Sequence, residues 1–190
     1  MRELKAAVIA IVAISLVFGL VYPLAMTGVS QVVGGGKADG SLVKLDGKVV
    51  GSKLIGQDFS RDLRYFQSRP SATDYSADAT FFNNQGPNQK DLADQLRKNL
   101  RTYLRRERLS DPSQVPADAV TTSASGVDPD ISEANARIQA RRVARRRGLS
   151  RARVLKLVDD HTSHPLFGLA GEGSVNVLEL NLALDRETSR

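Results

Sequence analysis

The side chains that could perform chemistry are few in this chain, and they are scattered. Its 190 residues include two histidines and no cysteine, which removes disulfides, thiolate metal sites and cysteine nucleophiles. His161 and His164 lie three residues apart, and two imidazoles would need distant carboxylates to complete a metal site. Since His161 also continues an apolar stripe, we interpret it as packing at a helix end and predict no metal site.

Three enzyme motifs are nearly present, but each fails on its context. Residues 34–37 resemble the end of a phosphate-binding loop, yet its first glycine would fall on Gln31. Ser41 and Lys44 have the S-x-x-K spacing, but they lie in a predicted hairpin strand instead of at a helix start. Ser125 lacks the first glycine of a nucleophile elbow. The sequence therefore predicts no catalytic residues, and a membrane-anchored extracytoplasmic enzyme stays as an alternative.

The strongest charge feature is a basic helix in the second half of a chain whose net charge is +6. No acidic residue occurs within residues 134–155. At 100° per residue a narrow arc carries small residues: Ala136, Ala140, Val143 and Ala144. The same helix carries six arginines, and most of them fall opposite this arc: the six are Arg137, Arg141, Arg142, Arg145, Arg146 and Arg147.

A face of this kind can bind nucleic acid, anionic lipid or an acidic partner, or it can simply be solvated. A base-stacking surface would require aromatic residues among the arginines. Aromatic residues make up only 5% of the chain, and none is interleaved with the arginines. A protein partner or a solvated face is therefore favoured. A basic nucleic-acid-binding domain of reversed membrane topology is the alternative.

An apolar segment near the N-terminus is long enough to span a membrane. Residues 6–36 contain no charged side chain, and residues 6–27 as a helix would rise about 33 Å, against a hydrocarbon core of about 30 Å. The run is longer than the apolar part of a signal peptide and lacks its cleavage site, so an uncleaved transmembrane helix is predicted. Residues 1–5 contain two bases, whereas the next base is Lys37. The N-terminus is therefore expected in the cytoplasm and the remaining domain outside the cell membrane.

The rest of the chain is predicted to form a flexible linker, residues 28–40, and one extracytoplasmic domain, residues 41–190. Three successive glycines, 34–36, supply the flexibility of the linker. Asp46 and Gly47 lie between two apolar runs, a pattern that predicts a β-hairpin.

Three helices and two strands are predicted beyond the hairpin. The helices begin at the N-caps Asn88, Ser132 and Ser150, and the first two end near Glu107 and at Gly148. The first helix has an apolar face made of Leu92, Leu96, Leu100, Tyr103 and Leu104. The strands are residues 119–122 and residues 175–184, where leucines alternate at positions 178, 180, 182 and 184. Helices and strands mix without a regular βαβ repeat, so the predicted fold class is α+β, with one N-terminal transmembrane helix.

Short blocks of sequence, in a fixed order, form a recognisable pattern over nearly the whole chain. They are residues 20–24, 27–31, 38–42, 51–57, 65–73, 86–87, 120–129, 131–132, 142–144 and 175–181. A chain with these blocks resembles the C subunit of the Kdp potassium-transporting P-type ATPase. Two departures stand out, since Gly34 and Gly35 replace an aromatic–proline pair and Asp130 replaces a usual histidine.

The resemblance implies a non-catalytic accessory subunit of a bacterial inner-membrane complex that imports potassium with high affinity at the expense of ATP. The implied partners are a channel-like potassium-binding subunit and an ATP-hydrolysing pump subunit, with membrane lipid around the span and no nucleic acid. The subunit is implied to act as a catalytic chaperone that raises the ATP affinity of the pump subunit. It binds no cofactor alone, and ATP is implied only through the pump subunit.

The resemblance also implies a nucleotide-binding role for a Q-x-x-R pair, here Gln139 and Arg142. The predicted topology conflicts with direct contact, because ATP is cytoplasmic and the domain is expected outside. We therefore expect the domain to cap the outer face of the complex and to hold the subunits together. Any effect on ATP affinity would then be allosteric, through the anchor helix and subunit contacts.

Overall fold

An apolar helix and a mixed helix–sheet region make up the part of the chain that the computed structural model describes, namely residues 1–76, 78, 84–164 and 171–188. These residues belong to two compact units, Met1–Val50 and Gly51–Arg190. Helices and two small sheets occur together in one chain, which confirms the predicted α+β class.

The N-terminal helix is long and apolar enough to cross a membrane. It consists of α1 (Arg2–Leu16), one π-helical turn (Val17–Val21) and α2 (Tyr22–Ala38). Over the whole stretch Arg2–Ala38 the mean hydropathy of the most apolar window is 2.6, and none of that window is buried. Side chains of this kind require an apolar surrounding, so the helix is consistent with a single-pass membrane protein.

Two irregularities of this helix have local causes in the sequence. The Tyr22 N–H donates to the carbonyl of Val17, five residues back, immediately before Pro23, whose nitrogen has no hydrogen to donate. A π turn widens the helix at the point where the proline ring would clash with the preceding turn. The segment interpreted as a linker, residues 28–40, is helical as far as Ala38, with one non-helical residue at Gly34 (φ −160°, ψ 52°).

The predicted β-hairpin is confirmed. Strands β1 (Leu42–Leu45) and β2 (Lys48–Ser52) pair in a two-stranded sheet. The two residues between them, Asp46 and Gly47, have φ values of 49° and 78°. Positive φ at both central positions is the geometry of a type I′ turn, whose twist matches that of the strands.

The remaining elements form the second unit. They are α3 (Lys90–Glu107), two 3₁₀ turns (Pro112–Gln114 and Ala117–Ala119), β3 (Asp130–Ser132), α4 (Glu133–Arg147), α5 (Arg151–Asp160), β4 (Thr162–Ser163), β5 (Ser174–Asn176) and α6 (Val177–Thr188). The three short strands form an antiparallel sheet in the order β3-β5-β4, in which Val175 lies opposite both Ile131 and Thr162.

Most of the predicted helix boundaries are confirmed, because the capping side chains make the expected bonds. Ser132 accepts a hydrogen bond from the Asn135 N–H (3.1 Å) at the start of α4, and Gly148 ends that helix with a φ of 67°. Ser150 accepts from the Arg153 N–H (3.2 Å) at the start of α5. The predicted cap Asn88 is wrong: α3 has Gln89 at its N-cap position, with no side-chain bond.

Both predicted strands of the second unit need correction. Residues 119–122 form the end of a 3₁₀ turn and an irregular stretch. The N–H groups of residues 119–121 and the Thr121 hydroxyl donate to carbonyls of the residues just before them, instead of to a neighbouring strand. Residues 175–184 continue as a strand only to Asn176, and α6 follows. The buried positions of α6 include Val177, Leu180, Asn181 and Leu184, which have helical spacing. The polar residue at position 181 disguises this pattern, so the leucine alternation misleads.

The core lies between α4, α5, α6 and the three-stranded sheet. The small residues predicted on one arc of α4 are 0–4% exposed, which confirms that arc. On α5 three apolar residues, Val154, Leu157 and Val158, are buried as well. By contrast, the leucines of α3 are only half-buried, and its buried residues are Tyr103 and Glu107. A carboxylate thus occupies a position where an apolar side chain would be expected.

A close backbone approach makes Gly56 essential for stability. Its N–H donates to the Val127 carbonyl (2.7 Å), and a Cβ at position 56 would lie 2.4 Å from the carbonyl oxygen of Asp128. We expect Gly56→Ala to lower the free energy of unfolding by ~1–3 kcal/mol or more, because the backbone cannot yield as a side chain would. Chemical denaturation measures this loss. Gly86→Ala, where no atom lies within 4 Å, is the matched control, and equal stability of both variants would contradict the prediction.

Candidate functional site

The two predicted site residues, Gln139 and Arg142, lie on the inner side of α4 and are 0% and 2% exposed. Their spacing of three places them on one face of the helix. That face is otherwise lined by alanine and valine, whose small size lets other segments approach closely. Both long polar side chains therefore reach into the interior, where each must find hydrogen-bond partners.

The Gln139 amide binds both backbone groups, the N–H and the carbonyl, of one buried residue. Its Oε1 accepts from the Gln67 N–H (2.7 Å), and its Nε2 donates to the Gln67 carbonyl (3.0 Å). A third bond runs from Nε2 to Oδ1 of Asn135 (2.9 Å). The side-chain amide thus makes the two hydrogen bonds to the Gln67 backbone that a neighbouring β-strand would otherwise make.

A second amide does the same for the preceding residue. Oδ1 of Asn181, on α6, accepts from the Phe66 N–H (2.8 Å), and its Nδ2 donates to the Phe66 carbonyl (3.0 Å). Phe66 is itself 0% exposed. We call Gln139 and Asn181 the amide pair. It satisfies four backbone groups of consecutive residues that would otherwise be buried without partners.

Arg142 binds the backbone just before Phe66 and so adds to the bonds that hold residues 63–67 against α4. Its Nη1 donates to the carbonyls of Leu63 (2.5 Å) and Tyr65 (2.9 Å), and its Nη2 donates to Oε1 of Gln139 (2.8 Å). Its Nε lies 3.0 Å from each carboxylate oxygen of Glu107. The guanidinium therefore joins α3, α4 and the segment around residue 65 at one point.

The charges at this point do not cancel. The Glu107 carboxylate is fully buried and is shared by Arg142 and by Arg106, whose Nε lies 2.8 Å from Oε1 and whose side chain is 22% exposed. Burial lowers the pKa of Arg142; the charge of Glu107 opposes this shift and that of Arg106 adds to it. We call Arg106, Glu107 and Arg142 the charge triad, and its net charge is +1.

Beyond the charge triad, the network continues through neutral and acidic groups to the start of α4. The Tyr103 hydroxyl donates to Oδ1 of Asn135 (2.8 Å), and Nδ2 of Asn135 donates to Asp118 (2.9 Å). Asp118 also accepts from the backbone N–H and the hydroxyl of Ser132. One connected set of bonds thus links α3, the 3₁₀ turn at Ala117–Ala119 and α4.

Two tyrosines, Tyr103 in this network and Tyr75 outside it, should make the domain sensitive to alkaline pH. Burial raises the pKa of Tyr75 from its ordinary value of 10 to about 12, and burial, followed by the charge of Glu107, raises the pKa of Tyr103. The folded protein keeps these protons to a higher pH than the unfolded chain. Their contribution to stability is therefore complete below pH 10 and is lost as the pH rises towards 12.

Denaturation at increasing pH, with phenolate absorbance recorded in parallel, measures this effect. The pH dependence should shrink in Tyr75→Phe and Tyr103→Phe, and it should persist in Tyr22→Phe, which lies in the apolar helix. A free energy of unfolding that does not fall between pH 10 and pH 12 would contradict the prediction.

The arginine face of α4 is not the uniform surface that the sequence predicts. Arg142 is buried in the charge triad, which corrects its placement on the outer face. Arg147 pairs with Asp185 (2.7 Å) and lies over the Tyr65 ring (4.5 Å). Arg137 pairs with Glu133 and Asp159. The exposed arginines of α4 that bind none of the described carboxylates are Arg141, Arg145 and Arg146.

The other sequence-derived candidates have local structural roles. His161 is half-buried at the end of α5, where its Nδ1 lies 2.8 Å from the Leu157 carbonyl oxygen, as expected for packing at a helix end. Asp130 accepts from Ser174 (3.0 Å) and Asn176 (3.1 Å) and so holds β3 to β5. Ser125 accepts from the Val127 N–H within a turn. No cluster of three or more potential metal ligands occurs among the described residues.

The structure combines one N-terminal helix that is long and apolar enough to cross a membrane with an α+β domain. Buried amides and one shared carboxylate join the elements in the interior of that domain. The chain matches the family model KdpC, described as the c chain of a K⁺-transporting ATPase, over residues 4–186. The chain belongs to this family. It is a subunit of the potassium-transporting ATPase and not the catalytic unit of that complex.

Individual relatives match over nearly their whole lengths. A potassium-transporting ATPase KdpC subunit of Cereibacter sphaeroides is 45% identical over 185 residues, which cover 97% of both chains. The protein of the same name from Rhodopseudomonas palustris strain TIE-1 is 44% identical over 204 residues, with full coverage of both. That from Mycobacterium tuberculosis strain H37Ra is 43% identical over 187 residues, with 97% and 98% coverage.

Proposed function

We propose that this chain is the assembly subunit of its transport complex, with its N-terminus in the cytoplasm and its α+β domain on the outer side of the membrane. The distribution of bases supports this orientation, because residues 1–5 contain two and the next base is Lys37. In this arrangement the domain contacts the channel-like potassium-binding subunit and the ATP-hydrolysing pump subunit, and it holds them together.

We further propose that the subunit acts as a catalytic chaperone and raises the ATP affinity of the pump subunit without touching the nucleotide. The observation that supports an indirect effect is the state of Gln139 and Arg142. Both are buried, and both are bonded to the segment around residue 65 and to Glu107. Binding of ATP by these groups would require breaking a network that includes a buried ion pair, at a cost of about 3–5 kcal/mol.

The bonds of this network between α3, α4 and the segment around residue 65 suggest how the domain acts. Coupling between sites requires that a partner bind one state of the complex better than another. A domain whose helices are joined at one point is suited to hold two subunits in a fixed relation, and so to favour the state that binds ATP more tightly. Allosteric coupling of ~1–3 kcal/mol corresponds to a change in affinity of about 5–150-fold.

The test uses the whole complex with a photoreactive ATP analogue. In sealed vesicles of known orientation, we expect the analogue to label the pump subunit from the cytoplasmic side and to leave this chain unlabelled. Complexes depleted of this chain should require a higher ATP concentration for half-maximal hydrolysis. Labelling at Gln139 or Arg142, or an unchanged ATP requirement, would overturn the proposal.

A further inference from the structure

The charge triad carries a net positive charge, and one of its members, Arg106, lies in the wall of a cavity. Two arginines share the single carboxylate of Glu107, and no second carboxylate among the described residues forms an ion pair with either. Arg106 borders a cavity of about 280 Å³ between α3 and the loop that contains residues 60–75. A partly buried cation without a matching anion is unfavourable. An anion in the cavity would compensate it.

The donors around the cavity are arranged for such an anion. Lys98, Thr102 and Arg106 follow one another at intervals of four residues on α3, and all three line the cavity. None of the described lining residues is acidic. In the part of the chain that the structure describes, the Lys98 ammonium and the terminal nitrogens of Arg106 have no carboxylate partner. Both cations therefore have donors available for a ligand.

Arg106 is also held in place before any ligand arrives. Its Nε is bound to Glu107, and its guanidinium lies over the Tyr103 ring, 5.2 Å from the centroid. These contacts fix the plane of the guanidinium, so little side-chain freedom is lost when an anion binds. Arginine and lysine are both common ligands of phosphate groups in proteins.

We propose that this cavity binds a phosphate group through Lys98 and Arg106. The oxygens of a phosphate group can accept hydrogen bonds from several directions. This geometry suits two cations on different helix turns better than the planar geometry of a carboxylate does. The cavity is at the small end of the ~300–1,000 Å³ range of ligand clefts, so it suits a phosphate group and not an entire nucleotide. Arg101 and Arg105 border an adjoining concave surface that also includes Lys98 and Asp94. Since Asp94 is paired with Lys90 and Arg97, the two arginines add to the attraction of anions.

The phosphate group could belong to a free phosphate or to the headgroup of an anionic phospholipid. The first arm of the test titrates inorganic phosphate into the full-length chain in neutral detergent, by calorimetry. The second arm compares the melting temperature of the chain in bilayer discs of phosphatidylglycerol and of phosphatidylcholine. Lys98→Gln removes one exposed donor, and Arg141→Gln, which removes an exposed charge of α4 outside the cavity, is the matched control.

Saturable binding of phosphate that is about tenfold weaker in Lys98→Gln and unchanged in Arg141→Gln would support a free phosphate ligand. Stabilisation by phosphatidylglycerol discs that depends on Lys98, without binding of free phosphate, would support a lipid headgroup. The proposal is overturned if neither ligand acts, or if both variants lose the effect equally. In that case a carboxylate of a partner subunit becomes the better candidate for the cavity. This inference does not depend on the proposed function.

Discussion

Replacing Glu107 with glutamine is expected to lower the free energy of unfolding by about 3–5 kcal/mol, since the change leaves the buried Arg142 guanidinium without a counter-ion. Glutamine keeps one acceptor oxygen and nearly the same volume, so packing changes little. The loss is electrostatic: Arg142 is 2% exposed, and the second arginine of the charge triad would then repel it without compensation.

Urea denaturation of the full-length chain in detergent measures this change, with Arg105→Gln as the control. Arg105 is an exposed residue of the same helix, and a surface substitution of this kind is expected to alter stability by less than about 0.5 kcal/mol. A similarly small loss in Glu107→Gln would show that Arg142 is not held as a buried ion pair.

Replacing Asn181 with leucine is the second change with a large expected effect. Leucine fits the helix and its apolar neighbours, but it removes both bonds to the backbone of Phe66. The N–H and the carbonyl of Phe66 would then be buried without partners, at a cost of ~1–3 kcal/mol for each group. We therefore expect a loss of about 2–6 kcal/mol, even though the substitution makes the core more apolar.

Hydrogen exchange at the Phe66 amide tests this prediction locally, and chemical denaturation tests it globally. The amide should exchange faster in Asn181→Leu, and the domain should unfold at lower denaturant concentration. Asn88→Leu, at an exposed position before α3, is the matched control. A gain in stability for Asn181→Leu would mean that hydrophobic burial outweighs the amide bonds, which would contradict the role of the amide pair.

The features that the sequence predicts correctly are those with strong local causes. The apolar run near the N-terminus, the turn at Asp46 and Gly47, and the caps Ser132 and Ser150 each depend on residues close in sequence. The inward arc of α4 is also predictable, because small residues recur with helical spacing.

The features that the sequence does not predict depend on contacts between distant residues. Asn181 looks like a polar, outward position in a strand, yet it is 1% exposed. Its hydrogen-bond partner, Phe66, lies 115 residues earlier, so no local pattern reveals the pairing. Glu107 is an acidic residue at the end of a basic helix, where the helix dipole disfavours it. That local conflict is a signal that could have marked it as paired. Arg142 likewise looks like one more arginine of an exposed face.

The prediction that Gln139 and Arg142 contact a nucleotide stays untested, and the structure gives both residues internal partners. Their spacing serves the fold directly, since it lets one helix face bind both the backbone of Gln67 and the carboxylate of Glu107. This structural role would by itself make substitutions at either position damaging. A loss of activity in such variants would therefore not distinguish nucleotide binding from misfolding, unless stability is measured in the same samples.

The side of the membrane on which the α+β domain lies is the most direct test of the proposed function. The chain has no cysteine, so a single Ser113→Cys substitution, in the exposed turn after α3, provides one reactive thiol. In intact spheroplasts that carry the assembled complex, we expect a membrane-impermeant maleimide to label this thiol without lysis. Labelling only after lysis would place the domain in the cytoplasm and would contradict the assembly role on the outer side.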